Sequence, residues 1–426
     1  MTDADVIVVG GGPAGCSTAW SLARLGVDVL LLDRARFPRE KTCAEYLSPQ
    51  ASRLLAQMGA LAACEDAGAA HLAGMIIRAP NGAQIRGDFI ARHGFRGFRD
   101  CGLALRRVVL DQIVLERARA VGVRVEEGSR VTDVVRDAQG RVRGVRVLGA
   151  DGTTRERSAR LVIGADGLRS VVARRLGLAH SARTPRRLAL VAHYRDVACM
   201  GAHGEMHVER DGYIGLADVG GGVTNVAVVV PIARARGAAG DPAAFMDEWI
   251  RRRPHLTPRF KRAMRVTAVL ATGPFASAVR RAWAPGAAMV GDAADFFDPF
   301  TGEGIYAALR GAELLAPRVI EAIETRSPQL ADASLAAYDV ERVREFRGKW
   351  AVERMIGAAV SFPALMNLAA RSLSLRPAMA HTIVGVTGDF VPAREVLRPG
   401  FMLRLLLPWT LRRPDVAAAL SGSEPG

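Results

Sequence analysis

The stretch DVIVVGGGPAGCSTAWSLARLGVDVLLLD, residues 5–33, decides the fold of this 426-residue chain. It opens with a β-branched run typical of a strand that is buried on both faces of a parallel sheet. Residues 14–25 then have helical spacing and end at Gly26, a residue that commonly follows a helix. A second apolar run, residues 27–32, closes at Asp33. The stretch therefore predicts a complete strand–helix–strand unit.

Three glycines in this stretch have the GxGxxG spacing of nucleotide-binding turns. Gly10 allows the tight turn, Gly12 lets a pyrophosphate approach the backbone, and Gly15 lets the helix pack closely on the strand. The helix N-terminus adds free amides and a positive dipole for the phosphates. Asp33 ends the second strand, where it can accept hydrogen bonds from ribose hydroxyls. The pattern predicts dinucleotide binding without choosing between NAD and FAD.

The rest of the chain is interpreted from its periodicity. Further buried strands are predicted at residues 161–164 and 287–290. A separate antiparallel sheet is predicted over residues 188–230, because short strands alternate there with glycine turns. A long helix is predicted over residues 304–323, and the chain is predicted to be helical after Pro328.

Two later blocks extend the nucleotide-binding pattern: GADGLRS at residues 164–170, and GDAA at 291–294 followed by DPFTGEGI at 298–305. With these blocks the sequence resembles the FAD-dependent oxidoreductases of the hydroxybenzoate-hydroxylase fold, above all their geranylgeranyl-reductase-like branch. The resemblance covers residues 1–325. It implies an α/β fold, with a glutathione-reductase-type FAD-binding Rossmann domain, an antiparallel-sheet substrate domain and a helical C-terminal region.

The resemblance also implies the domain limits and the source of electrons. Only one GxGxxG unit is present, so no separate NAD(P)H domain is expected, and the reductant is either a transient NAD(P)H or a partner protein. The expected limits are 1–75, 100–180 and 270–325 for a discontinuous FAD-binding domain, 76–99 and 181–269 for the substrate-binding domain, and 326–426 for the helical C-terminal region.

Each block carries chemistry that an extended FAD needs. Asp292, after a buried strand, is placed to bind the ribityl chain. The turn from Pro299 to Gly304 leads into a helix whose amides and dipole would face flavin N1 and the C2 carbonyl and stabilise the anionic reduced flavin. The cofactor-binding residues implied by the resemblance are Gly10, Gly12, Pro13, Ala14, Gly15, Asp33, Arg34, Arg39, Arg107, Asp166, Gly291, Asp292, Pro299, Gly302, Gly304 and Ile305.

Some of these residues also have a purely structural interpretation. Asp166 either supports the pyrophosphate region or is a solvated carboxylate in a turn. Arg107 is expected near FAD, and its spacing to Asp111 also allows a helix ion pair worth about 0.3 kcal/mol. Both interpretations of Arg107 can hold together. Gly302 and Gly304 could do no more than turn the chain.

The segment FPREKTC, residues 37–43, resembles the part of geranylgeranyl-reductase-like proteins that lies along the flavin. The resemblance implies that Arg39 lies near the cofactor and that Cys43 is catalytic, on the substrate side of the ring. The alternative is that Cys43 is a small buried hydrophobic residue. No Trp-x-Trp occurs, which disfavours halogenation. The branch's substrate-side Tyr-x-Trp-x-Phe-Pro is replaced by YIGLAD at 213–218, which argues against a prenyl substrate.

These features predict a FAD-dependent oxidoreductase acting on a hydrophobic, lipid-like or secondary-metabolite substrate. Hydride transfer to a carbon–carbon double bond is favoured, with Cys43 or water handling the proton. A flavin-dependent monooxygenase that hydroxylates or epoxidises a similar substrate shares every cofactor residue and stays open. A non-catalytic nucleotide- or nucleic-acid-binding protein is the third and least favoured hypothesis.

The charge balance invites a polyanionic partner but does not require one. The chain has 58 basic and 43 acidic residues, a net charge of +15. Lys41, Lys261 and Lys349 are its only lysines, and the arginines are spread along the whole chain, as a GC-rich coding sequence would produce. No nucleic-acid partner is therefore expected, although a positive surface could attract anionic lipids.

The cysteines, the N-terminus, the C-terminal segment and the histidines bear on cellular location, membrane contact and metal binding. The five cysteines are odd in number and no signal peptide is recognised, so a cytoplasmic protein with free thiols is expected. Residues 401–409 are apolar and precede Arg412 and Arg413, which predicts either a peripheral membrane contact or a lid over the substrate. His193, His203 and His207 lie in strand-like sequence without an acidic partner pattern, and no metal site is expected.

Overall fold

Two large sheets and a set of helices form the part of the chain that the computed structural model describes, residues 2–181, 186–275, 277–296 and 298–407. The strands are β1 (Ala4–Val9), β2 (Val29–Asp33), β3 (Tyr46–Leu47), β4 (Ala70–Leu72), β5 (Gly74–Arg78), β6 (Gln84–Asp88), β7 (Gly102–Ala104), β8 (Arg124–Glu127), β9 (Arg130–Arg136), β10 (Val142–Leu148), β11 (Thr154–Gly164), β12 (Ala179–Ser181), β13 (Arg187–Arg195), β14 (His203–Glu209), β15 (Gly212–Asp218), β16 (Val223–Pro231), β17 (Met264–Arg265), β18 (Leu270–Thr272), β19 (Ser277–Val279), β20 (Trp283–Ala284), β21 (Ala287–Met289) and β22 (Asp295–Phe296). The helices are α1 (Pro13–Ala23), α2 (Ala51–Gln57), α3 (Leu61–Asp66), α4 (Arg107–Ala120), α5 (Val171–Arg175), α6 (Pro242–Arg251), α7 (Thr257–Phe260), α8 (Gly304–Glu324), α9 (Pro328–Ser361), α10 (Pro363–Ser374), α11 (Pro377–Thr387), α12 (Arg394–Leu397) and α13 (Pro399–Leu406).

The first sheet has a parallel centre assembled from distant parts of the chain. β1 pairs in parallel with β2 on one side and with β11 on the other, while β8 and β21 extend the parallel part. Val6, Ile7 and Val8 are completely buried, because helices cover both faces of such a sheet. The predicted strand–helix–strand unit and the Rossmann architecture are confirmed.

The strand predicted at residues 161–164 is longer than expected. β11 begins at Thr154, and its first residues pair antiparallel with β10 at the protein surface. Residues 154–156 are exposed and polar. Hydrophobic periodicity therefore detects only the buried half of this strand.

The second large sheet runs in the order β17, β13, β16, β15, β14, β5, β6 and is antiparallel except where β5 meets β14. Its outer face packs on α6 through residues such as Ile214 and Trp249. The opposite face, here called the inner face, packs against the C-terminal helices and against Phe300. The inner face consists of Ala189, Val191, Met206, Val208, Tyr213, Ala227 and Val229.

The C-terminal helices close over both sheets, so the predicted helical region is confirmed as far as Leu406. α9 lies along α8, and α10, α11 and α13 cover the inner face through Met366, Leu373, Met379 and Leu405. The later part of the predicted membrane segment, from residue 408 onward, lies outside the described residues. Within the described ranges no helix alone has the length and apolar composition to cross a bilayer; α9 and α10 satisfy that test only as a pair bent by 112°.

Asp298 connects the inner face to the turn before α8. Its Oδ1 accepts hydrogen bonds from the Tyr213 hydroxyl, at 2.7 Å, and from the Phe300 amide, at 3.0 Å. Its Oδ2 pairs with Nη1 of Arg187 at 2.5 Å. The Phe300 ring packs edge-on against Tyr213, with 5.0 Å between ring centroids. The turn before α8 is thus fixed to the second sheet by charge and by packing.

Removing the Tyr213 hydroxyl should loosen this connection. We expect Tyr213→Phe to lower the free energy of unfolding by about 1–3 kcal/mol, because the bond lost is buried and its acceptor is charged. Tyr194→Phe is the matched control, since its acceptor Asp247 is 56% exposed and water can replace the hydroxyl. Urea denaturation of both variants checks this, and equal losses would contradict the proposed importance of Asp298.

Candidate functional site

The glycine turn after β1 is closed on one side and open on the other. Gly10 has φ +106°, and a Cβ at that position would lie 2.4 Å from the carbonyl oxygen of Ala165. A Cβ at Gly15 would lie 1.8 Å from the carbonyl oxygen of Gly10. At Gly12, by contrast, a Cβ would have its nearest neighbours at 3.7 and 3.8 Å, and they are the guanidinium groups of Arg39 and Arg107. The open side of the turn therefore faces two cations.

Asp33 holds this turn in place from the end of β2. Its Oδ2 accepts a hydrogen bond from the Gly11 amide, and its Oδ1 accepts one from the Ala35 amide, both at 2.7 Å. The Arg39 guanidinium lies 3.9 Å from Oδ2. Arg34, the next residue, is exposed. Each carboxylate oxygen keeps a lone pair for a further donor.

One buried carboxylate supports both arginines. Asp111, which is fully buried, accepts from Nε and Nη2 of Arg107 at 2.6 and 2.8 Å and lies 3.0 Å from Nη1 of Arg39. Burial disfavours the charged guanidinium, but Asp111 and Cys43 outweigh it and raise the pKa of Arg107. The predicted helix ion pair is therefore present, and two cations share one anion. The remaining positive charge suits a pyrophosphate.

Asp166 is not the solvated carboxylate of the structural alternative. Its Oδ2 accepts from the amides of Val171 and Val172, at 2.6 and 3.4 Å, at the start of α5. Desolvation raises the pKa of Asp166. The carboxylate thus turns inward and fixes the loop that packs on Gly10.

Asp292 and Lys41 lie close enough for each to influence the charge of the other. Burial raises the pKa of Asp292, against the pull of Lys41 and Arg107. Lys41 is open to solvent on one side, yet protein surrounds most of its ammonium group, and this desolvation together with Arg107 lowers its pKa. Lys41 Nζ lies 3.8 Å from the position of a Cβ on Gly167. Lys41 is not among the predicted cofactor contacts, because a lone lysine in a loop carries no sequence signal.

The turn before α8 presents unpaired amides to the groove. Gly302 has φ +72°, and a Cβ there would lie 2.7 Å from Cδ1 of Tyr46. α8 begins at Gly304, and its capping residue Glu303 makes no side-chain hydrogen bond to the helix. No described residue accepts from the amides of Gly304 or Ile305. A 21-residue helix with free amides at its start is a site for negative charge.

Cys43 lies where the groove meets the second sheet. The residue is half-buried, and its Sγ accepts a hydrogen bond from the Glu45 amide at 3.3 Å. The thiol also contacts the Arg107 guanidinium. Nδ2 of Asn225, on β16, donates to the Cys43 carbonyl at 3.0 Å. Cys43 also packs against the hydrophobic core of the first sheet, so polar and apolar groups both contact it.

Glu45 organises this region, and the sequence gives no hint of it. It is completely buried with φ +61°, a conformation that costs a non-glycine residue about 1–3 kcal/mol. Its Oε1 accepts from the Arg107 amide at 2.8 Å, and its Oε2 accepts from His193 at 2.7 Å and from Asn225 at 3.0 Å. The Cys43 loop is therefore bound to α4 and to two strands of the second sheet.

Each of the strand histidines has an acidic partner, although no partner pattern accompanies them in the sequence. His193 pairs with Glu45, His203 with Asp88 at 2.7 Å, and His207 with Glu205 at 2.8 Å. Two of the partners come from distant parts of the chain, so no local pattern could reveal them.

The groove meets the requirements of an extended FAD. It offers a glycine turn without side chains, two guanidinium groups beside it, and free helix amides at the far end. Residues 3–347 match the family described as FAD binding domain. The chain belongs to this family. It is a FAD-dependent oxidoreductase, since it belongs to this FAD-binding family and has relatives named as reductases at 30% identity or more.

Two relatives and one solved structure illustrate the similarity. The flavoprotein is 31% identical to the menaquinone reductase of Mycobacterium tuberculosis over 397 residues, 87% of this chain and 91% of that protein. It is 30% identical to digeranylgeranylglycerophospholipid reductase 2 of Methanopyrus kandleri over 329 residues, 75% and 78% of the two chains. The myxobacterial chondrochloren halogenase superposes with a TM-score of 0.76 at 23% identity, covering 96% and 98%, which shows a shared fold only.

Filling the open side of the glycine turn should abolish FAD binding without unfolding the flavoprotein. In Gly12→Val the added methyl groups point toward Arg39 and Arg107, where the pyrophosphate would lie. We expect the Kd for FAD to rise at least about 100-fold, or about 2.7 kcal/mol. Fluorescence titration of the apoprotein measures this.

Gly201→Val is the control for this variant, because no atom lies within 4 Å of a Cβ at Gly201. A Gly12→Val protein that binds FAD within about twofold of the wild type would contradict the placement of the pyrophosphate.

Proposed function

We propose that this flavoprotein reduces a carbon–carbon double bond of a hydrophobic substrate, with Cys43 as the proton donor. The position of Cys43 carries the proposal. Its thiol lies beside Arg107 at the cofactor groove, while its carbonyl is bound by Asn225 of the second sheet. A substrate between the groove and that sheet would meet the thiol directly.

The cofactor contacts proposed here are those implied by the sequence, with Lys41 added. Gly12, Arg39 and Arg107 would hold the pyrophosphate, Asp33 the adenosine ribose, and Asp292 the ribityl chain. The remaining proposed contacts are the other residues that the resemblance implies: Gly10, Pro13, Ala14, Gly15, Arg34, Asp166, Gly291, Pro299, Gly302, Gly304 and Ile305.

Bound FAD, once reduced, supplies a hydride to one carbon of the double bond. The other carbon takes the proton of the Cys43 thiol, and the thiolate regains a proton from water. Arg107 stabilises the thiolate while it lacks a proton, because the guanidinium stays charged and touches the sulfur. The amides of Gly304 and Ile305 stabilise negative charge at the other end of the groove.

The inner face supports an apolar substrate. Phe300, in the turn before α8, packs in the same apolar cluster as Val191, Met206 and Val229. An apolar group bound next to this turn would therefore border on hydrocarbon. The names of two relatives, menaquinone reductase and digeranylgeranylglycerophospholipid reductase, also favour a large hydrophobic substrate, and they outweigh the expectation against a prenyl chain that rests on YIGLAD at 213–218.

Electrons would come from NAD(P)H as a transient visitor or from a reductant protein. The sequence has a single GxGxxG turn, at Gly10–Gly15, and FAD itself would occupy it. No second turn of this kind is left to hold NAD(P)H, which favours a transient reductant. Rapid-mixing experiments with NADPH and NADH on the oxidised flavoprotein distinguish the two sources.

Anaerobic turnover tests the proposed reaction. The dithionite-reduced flavoprotein is mixed without oxygen with menaquinone or with a digeranylgeranyl glycerolipid, and mass spectrometry detects the gain of two hydrogens at a side-chain double bond. We expect Cys43→Ala to slow this step by about 10²- to 10⁴-fold while the flavin spectrum is retained, as for loss of a positioned proton donor.

Cys101→Ala is the matched control, since Cys101 is also half-buried but lies in another loop. Product that forms only with oxygen and carries its isotope label would instead establish the monooxygenase.

We also propose that the end of α10 and α13 touch an anionic lipid surface. Leu375, Leu403 and Leu406 are 66%, 59% and 39% exposed. Arg376 joins the two helices by donating to Ser372 of α10 and to the Arg404 carbonyl of α13. Exposed apolar groups beside arginines suit the interface of a membrane that holds a lipid-like substrate.

Vesicle sedimentation tests this contact. Binding to phosphatidylcholine vesicles that contain phosphatidylglycerol should fall at least about tenfold in Leu403→Asp/Leu406→Asp, because buried leucine area is lost and anionic lipid repels the new carboxylates. Leu25→Asp, at an exposed site shortly after the end of α1, is the control. No binding by the unaltered chain, or equal loss in both variants, would contradict the proposal.

A further inference from the structure

Two glutamates, one buried and one half-buried, lie beside the turn before α8. Glu303 is the residue before α8, and Glu353 belongs to α9. Both carboxyl groups line one cavity, and the proximity of Glu303 raises the pKa of Glu353, which favours a proton on the pair. Nζ of Lys349 lies 3.5 Å from Oε2 of Glu303. None of the proposed cofactor contacts or substrate steps uses this cluster.

The cation of Lys349 is shared with a further carboxylate. Asp389, after α11, has a fully buried side chain and forms an ion pair with Lys349. The Lys349 ammonium also lies 4.6 Å from the centroid of the Tyr306 ring. Asp295 faces Glu353 from β22 and is paired with Arg342, while the buried Tyr46 faces Glu303 from β3. The single ammonium group of Lys349 is therefore shared by three carboxyl groups, those of Glu303, Glu353 and Asp389. Because so little positive charge is available to each of them, deprotonation of the glutamate pair is unfavourable.

Burial is the largest effect on both glutamates. Desolvation raises the pKa of Glu303, with Lys349 opposing it, and desolvation followed by Glu303 raises the pKa of Glu353 well above its usual range. A cavity of about 60 Å³ adjoins the pair and reaches Thr301, Gly304 and Asp292, residues of the flavin groove. A space of this size accommodates water, which gives the pair a route for protons.

The pair and the flavin respond to the same helix end. Glu303 immediately precedes the free amides of Gly304 and Ile305, which attract negative charge. If FAD binds in this groove, its reduction would place negative charge near these amides. The negative charge of the reduced flavin would repel a negative charge on Glu303 or Glu353. The pair would therefore bind a proton more tightly when the flavin is reduced.

We propose that Glu303 and Glu353 form a proton-binding site coupled to the flavin, so that two-electron reduction is accompanied by uptake of one proton at this pair in addition to the proton taken up by the flavin. The proposal rests on FAD binding and is independent of which substrate is reduced. Coupling of this kind is reciprocal: protonation of the pair raises the midpoint potential, and flavin reduction raises the proton affinity of the pair.

Potentiometry of the holoprotein tests the proposal. The midpoint potential of bound FAD is measured by dye equilibration with dithionite across roughly pH 6 to 9, the range in which buried glutamates titrate. Each proton coupled to a two-electron reduction shifts the potential by about 30 mV per pH unit, the equivalent of a tenfold change. We expect a segment of about 60 mV per pH unit in the wild type and about 30 mV throughout in Glu303→Gln/Glu353→Gln.

Glu341→Gln is the control, because Glu341 also lies on α9 but pairs with Arg318 away from the cluster. A wild-type slope of about 30 mV at every pH, or a steep segment that survives in the double variant, would overturn the proposal. Potentiometry needs no substrate turnover. A negative result here can therefore be distinguished from failure of the proposed reduction of a double bond.

A second measurement needs no variant. The infrared difference spectrum between oxidised and reduced wild-type holoprotein should show a protonated carboxyl band that appears on reduction and shifts in deuterium oxide. Absence of this band would also overturn the proposal, even if the double variant does not fold.

Discussion

The cofactor groove depends on one geometric constraint, the common edge at which four parallel strands end. β1, β2, β11 and β21 bring Gly10, Asp33, Asp166 and Asp292 together, although these residues span most of the chain. Each strand contributes one feature that a nucleotide needs, and none is sufficient alone. Hydrogen bonds between the loops then fix their spacing, as Asp33 does for the amide of Gly11.

A second constraint joins this edge to the substrate side. Glu45 accepts hydrogen bonds from α4, β13 and β16 at once, and its strained backbone is held by those contacts. Asp298 does the same for the turn before α8. The Cys43 thiol and the α8 amides therefore have fixed positions relative to the inner face, which is what a reaction between cofactor and substrate requires.

Local sequence patterns predicted the strands and helices, but they could not predict contacts between residues that are far apart in the chain. Buried strands and the glycine turns have their own periodicity and composition, so the Rossmann unit, the second sheet and α8 could be predicted from the sequence. Glu45 and Lys349 could not, because their importance comes from partners far away in the chain. The exposed start of β11 was not predicted because its residues are polar, and a polar segment that pairs at the surface has the composition of a loop. The roles of the individual site residues and the domain limits stay predictions.

The order in which the chain leaves the ribosome matters for a groove of this construction. β21 and the start of α8 are needed to complete a site whose first turn is at Gly10, and about seven-tenths of the chain separates the two. The nascent N-terminal unit therefore emerges with an unfinished sheet edge, and the whole second sheet must emerge before the missing strand arrives. Cofactor capture is necessarily a late event in biosynthesis, and the early intermediate presents a strand edge that the cell has to protect from aggregation.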